Sequence, residues 1–196
     1  MTTRITTLLH KSNMPILHLA LLGTLAAAGP LAAATNDSEQ DHTGHAVSAN
    51  LVSPSLVETV RNATRQFLDV NAATAAKYQP FLGCVSGPDH GAMGVHYVNG
   101  DLVGDGEIDA TKPEALIYEP TADGMLLVGV EYIVDAAAWM AHHSAPPVLG
   151  GQTFQLVGSP NRYGLPTFFE LHVWAWRDNP NGSYVDWNTR VSCEGE

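Results

Sequence analysis

The chain has 196 residues, 20 of them Asp or Glu against 9 Lys or Arg, for a formal charge of −11 at pH 7. So acidic a balance repels phosphate backbones and anionic membrane surfaces, which argues against nucleic acid as a partner. At this length, with 45% hydrophobic residues, one domain can bury a substantial core.

The N-terminus carries an export pattern. Arg4 and Lys11 form a basic n-region, residues 14–28 are apolar apart from His18 and Thr24, and Ala32, Ala33 and Ala34 supply small residues for a signal peptidase. This predicts a signal peptide over residues 1–34 and a secreted or periplasmic product. The apolar run is too short and broken to span a bilayer, so no stable membrane insertion is expected. Residues 35–52 are small and polar with no hydrophobic period, and read as a flexible leader in which Asp41, His42 and His45 are solvated. Residues 53–196 then form a single domain.

Ser53 and Pro54 offer a cap and a first helical residue, and Ser55 with Glu58 offers an alternative capping box. Leu56, Val60, Ala63, Phe67 and Val70 recur at intervals of four and three, predicting one long helix that runs through the alanine-rich stretch and stops before Pro80. Residues 84–91 read as a loop, 93–98 as a strand, and 99–113 as an acidic connection. Residues 115–119 and 125–134, joined by a turn at 121–124, read as a β-hairpin. Residues 135–140 are a short helix or turn, and 153–157 an edge strand. The aromatic run Phe168 to Trp176 is a further strand, bounded by Pro166 and the turn cluster around Pro180. The fold class expected is α+β: a long N-terminal helix packed on a mainly antiparallel sheet that can curl towards a barrel. Cys84 and Cys193, an isolated pair in an exported chain, are expected to form a disulfide joining the end of the helix to the C-terminal tail.

Period two separates the last strand into a core face of Phe169, Leu171, Val173 and Ala175 and a mixed face of Phe168, Glu170, His172, Trp174 and Trp176. The long strand before it is apolar on both sides except at Glu131 and Tyr132, with Leu127, Gly129, Glu131 and Ile133 sharing a face. His96 interrupts the first predicted strand in the same way. A buried polar residue in such a setting requires a partner to offset its desolvation. Two imidazoles and a carboxylate, His96, His172 and Glu131, are a ligand set for a divalent transition metal with open positions, or an acid/base constellation without one. Sharing one ion requires the strands to be neighbours or the sheet to curl. Trp174 shares a face with His172 and is expected near the wall of that site, as a ligand-binding residue.

Asp101 to Lys112 resembles a calcium loop but has Val103 and Lys112 at ligand positions, and reads as an acidic surface loop. His142 and His143 read as a solvated turn. The chain has no GxSxG, Walker loop, GxGxxG after a strand, or HExxH, which removes most familiar hydrolases, kinases and dehydrogenases.

The stretches from Gly91 through Tyr97, Pro113 through Glu119, Leu127 through Tyr132 and Leu171 through Trp176, with the ending from Asn179 to Cys193, resemble an uncharacterised family of exported, chiefly bacterial proteins. Thr189 departs from the proline expected after Trp187-Asn188. The resemblance implies export and the extent of the domain, and no activity. Three functions remain open: a small-ligand or metal-binding protein with its site at His96, Glu131 and His172, a metal-dependent hydrolase or oxygenase using the same residues, and a structural or envelope interaction domain without a pocket.

Overall fold

The computed structural model describes residues 54–87 and 89–195. The expected signal peptide and leader, and the Ser53 cap, lie outside the described residues. The fold is α+β, with a curled antiparallel sheet, a half-barrel, whose hollow face and helix-covered face have different chemistry.

The long helix is corrected. Helix α1 spans Leu56–Thr64, continues as a 3-10 turn over Arg65–Leu68, and stops. Its start is the Ser55–Glu58 capping box, with both reciprocal bonds present. Asp69 is the physical reason for the break. Its backbone is extended and its side chain accepts from the Asn71 N–H, so it caps a separate helix, α2, Val70–Ala75. That helix closes with Lys77 at φ 71°, and the N–H groups of Lys77 and Tyr78 turn back to Thr74 and Ala73. This is the two-bond left-handed ending that satisfies the last carbonyls.

Strand β1, Gln79–Gly87, was expected as a loop from Cys84 onward. Its pairing with β2, Gly91–Val98, is irregular between Phe81 and Val85, and its side chains are mostly exposed or half-buried, so it carries no clean period. Helix α3, Gly100–Val103, is capped by Asn99 and leads through the acidic connection to β3, Ala115–Thr121, and β4, Gly124–Asp135. Asp135 caps the short α4, Ala136–Met140, through the Ala138 N–H. Two-residue strands β5, Val148–Leu149, and β6, Gln152–Thr153, form a small separate ribbon before β7, Gln155–Val157, and β8, Phe168–Val173. The sheet order is β1-β2-β3-β4-β8-β7, every pair antiparallel.

One face carries the main core. Val60 and Phe67 from the helical layer meet Tyr118, Val130, Tyr132 and Leu171 from the sheet. Tyrosines bury their rings there and spend their hydroxyls on backbone carbonyls: Tyr118 donates to Phe67 at 2.6 Å, Tyr132 to Ala110 at 2.7 Å and Tyr78 to Pro113 at 2.8 Å. A bulge between Ile117 and Tyr118 against Leu127 to Gly129 changes which residues face the core. Leu127 therefore joins Val130 in the main core, while Val128 packs on the other side with Ile117 and Trp174, and the face shared by Leu127 and Glu131 is corrected accordingly.

Strand β8 also ends sooner than period two implied. After Val173 the chain turns, and the N–H groups of Trp176 and Arg177 both reach the Val128 carbonyl. Trp176 consequently packs on the helical side, its Nε1–H donating to Thr64 Oγ1 at 3.0 Å. The segment 184–193 returns as irregular backbone with a single bridge, Ala92 to Asn188. Gly91, at φ 80°, sits under it, where a Cβ would fall 2.1 Å from the Asn188 carbonyl oxygen. Cys84 and Cys193 stand at disulfide distance, with Cα atoms 5.6 Å apart, and so tie β1 to this returning tail. Among the described residues no helix is long and apolar enough to cross a membrane.

Candidate functional site

On the hollow face the register sets His96 opposite Ile117, Ala115 opposite Glu131, and Glu131 opposite His172. His96 and Glu131 are thus two strands apart, with β3 between them. Flat strands about 4.8 Å apart would leave them too distant to touch. The sheet curls, and across β3, which sets Ile117 opposite His96 and Ala115 opposite Glu131, His96 Nε2 and Glu131 Oε2 approach to 3.4 Å. Ligand atoms of His96, Glu131 and His172 all lie within 4.8 Å of one another. The three residues singled out in the sequence therefore converge, and all three are buried.

A tetrahedral ion bonded at about 2.1 Å sets its ligand atoms roughly 3.4 Å apart. The His96–Glu131 pair already has that spacing, and His172 offers a ligand atom within 4.8 Å of both. Glu170, two residues before His172 on the same face, adds a carboxyl that lies diagonally across the β4–β8 pair from Glu131 and interacts with it electrostatically. Asp186 comes from the returning tail. Its Oδ1 lies 3.6 Å from His172 Nδ1, beyond hydrogen-bond length, and it accepts from Gln155 Nε2 at 2.8 Å. Glu170, His172 and Asp186 form a second group with ligand atoms within 4.8 Å of one another.

Burial dominates the electrostatics. It holds the His96 imidazole down to about 3, helped by the neighbouring His172 and opposed by a backbone hydrogen bond at Gly94. Burial alone takes His172 to about 4. Burial, then the charge of Glu170, holds the Glu131 carboxyl well above its ordinary value. Burial likewise raises Glu170 and Asp186. At neutral pH the His96 imidazole is therefore neutral, and its contact with Glu131 is not an ion pair. Neutral imidazoles are the form that binds a metal.

His172 is the least satisfied residue in this arrangement. Among the described residues both of its ring nitrogens are buried and have no hydrogen-bond partner, and Glu170 Oε2 is buried and unpartnered beside it. Elsewhere the buried carboxylates are paired: Glu119 accepts from Arg177 and from the Ser192 N–H, and Glu114 accepts from the Ile133 N–H at 3.0 Å.

A half-open cavity of about 240 Å³ adjoins the site. His96, Glu131 and Tyr163 are its polar lining, and Phe81, Val98, Ile133, Leu165 and Phe168 contribute apolar wall. Trp174 is not part of that wall. Its ring lies 6.2 Å from the His172 ring, inclined by 22°, and its Nε1–H donates to the Val185 carbonyl. Trp174 thus flanks the His172 imidazole without lining the cavity.

Sequence reasoning placed Glu170 on the correct face without assigning it to the site. Its alternation with His172 was the available signal. Asp186 and Tyr163 come from irregular segments and carry no period that would have marked them. His143 stacks on Trp139 at 3.7 Å between ring centroids, on the surface and away from this cluster. No protein-family model, curated protein or solved structure matches this chain.

Proposed function

We propose that this chain is a metal-binding protein that holds one divalent transition ion with His96, Glu131 and His172. The observation that carries this reading is the pair of buried, unpartnered ring nitrogens on His172, set within reach of an imidazole and a carboxyl. A buried polar group without a partner costs about 1–3 kcal/mol. An ion at this position would satisfy one of the two His172 ring nitrogens. Nitrogen and oxygen ligands in this ratio suit zinc, iron or copper better than calcium or magnesium. The hydrogen bond at Gly94 would orient the His96 ring as outer-shell partners orient ligating histidines. Export belongs to the same proposal, supported by the N-terminal pattern, the motif resemblance and the cysteine pair.

The test is metal analysis of the full chain produced without a histidine tag, before and after reloading with zinc, iron or copper. The expected result is about one equivalent of one of these metals, lost in His172→Ala while the far-ultraviolet circular dichroism is kept. No metal retained after reloading, or undiminished retention in that variant, contradicts the reading.

A second reading, a metal-dependent hydrolase or oxygenase at the same residues, is favoured by one observation. Two of the three proposed ligands border the cavity, and three protein ligands leave positions open on the ion for a water or substrate. Turnover of an ester or consumption of oxygen that depends on the metal and on Glu131 would select it.

A further inference from the structure

The cavity beside the site has a chemistry of its own. Its volume of about 240 Å³ exceeds the roughly 150 Å³ that encloses a benzene molecule in a protein interior. It therefore has room for one ring with a few added atoms. Among the described residues no lysine or arginine lines it, so an anion would find no side-chain counter-charge from them. The polar groups cluster instead around His96 and Glu131, and Tyr163 turns its hydroxyl to Met93 Sδ at 3.5 Å.

The rim supports a built pocket. Leu82, one of the lining residues, holds a left-handed backbone at φ 60° with its side chain 54% exposed. A bulky residue rarely adopts that conformation, and such positions cluster at ligand sites. The irregular pairing of β1 between Phe81 and Val85 is what places it there. Gly100 of α3 and Gly104, which follows that helix as its C-cap, also line the cavity, without side chains to fill it.

We infer that this cavity binds a small neutral molecule with an apolar body the size of a substituted benzene ring and one hydroxyl or carbonyl oxygen directed at His96 and Glu131. The inference rests on the metal reading in one respect: that oxygen would take an open position on the ion. Apolar walls with few convergent polar groups are the usual form of a small-molecule site.

The experiment uses the full chain with and without cobalt(II), titrated with 4-methylphenol and with toluene by calorimetry, while the visible cobalt bands are recorded. The expected result is saturable binding of 4-methylphenol at least 10-fold tighter than toluene, with a shift of the cobalt bands. Leu165→Trp and Val103→Trp, both outside the main sheet, are each expected to weaken phenol binding at least 10-fold while cobalt uptake is kept. Cobalt uptake with no preference for the phenol overturns this inference and leaves the metal reading standing. Phenol binding that both tryptophan variants abolish, in a chain that takes up no cobalt, upholds the cavity and overturns the metal reading. Phenol binding unchanged in both variants places the ligand elsewhere and overturns the inference.

Discussion

At the scale of single residues, this fold treats its buried carboxyls in different ways. Glu119 is neutralised by Arg177, whereas Glu131 and Glu170 lean on each other and Glu114 is met by backbone N–H groups, that of Ile133 first. Burial pushes the Glu114 carboxyl up from 4.5 to about 8, with the Ile133 N–H pulling the other way. Between those values the folded chain keeps a proton that the unfolded chain has released, so rising pH favours unfolding across that window. Glu114→Gln removes the titration and can still accept from Ile133. We expect this variant to match the parent near pH 4.5 and to exceed it by about 1–3 kcal/mol at pH 8 in urea unfolding. An equal pH dependence in both proteins would contradict the assignment. His96, Glu131 and His172 were legible as candidates because each interrupts an apolar strand. Their meeting was not, because it depends on sheet curl, which no period in the sequence expresses.

At the scale of elements, the helical layer shows how one local choice overrides a long pattern. The apolar stripe from Leu56 to Val70 reads as one helix, yet Asp69 competes for the backbone and splits it, and Phe67 reaches the core from the 3-10 turn. Phe67 is 8% exposed and meets the Tyr78 ring edge-on at 5.3 Å. Phe67→Ala is expected to cost about 3–5 kcal/mol in chemical denaturation. A loss under about 1 kcal/mol would place the ring outside the core. The hairpin of β3 and β4 and the strand β8 were readable because their sides alternate over most of their length. Strand β1 was not, because an exposed, bulged edge has neither the period nor the apolar content that marks a strand. The bulge at Val128 was equally silent, and it reversed the side taken by Leu127.

At the scale of the whole molecule, the sheet, the tail and the cysteine pair depend on one another. The returning segment has little regular structure of its own, and the bond between residues 109 apart anchors it against β1. That anchor also steadies the segment that carries Asp186 to His172. Reduction, or replacement of both cysteines by serine, is expected to lower stability by about 2–5 kcal/mol, read as a shift of the urea midpoint. Two thiols labelled in the denatured, unreduced protein would contradict the bond. The sequence expressed this link through compartment and count, not geometry. The central claim, that the hollow face of the sheet gathers a metal-ligand set, has a direct test. Crystals of the zinc-loaded chain, measured on both sides of the zinc absorption edge, should show an anomalous peak about 2.0–2.2 Å from a ring nitrogen of His96, a ring nitrogen of His172 and a carboxyl oxygen of Glu131. A peak confined to the exposed His142 and His143, or no peak between the three residues, would contradict it.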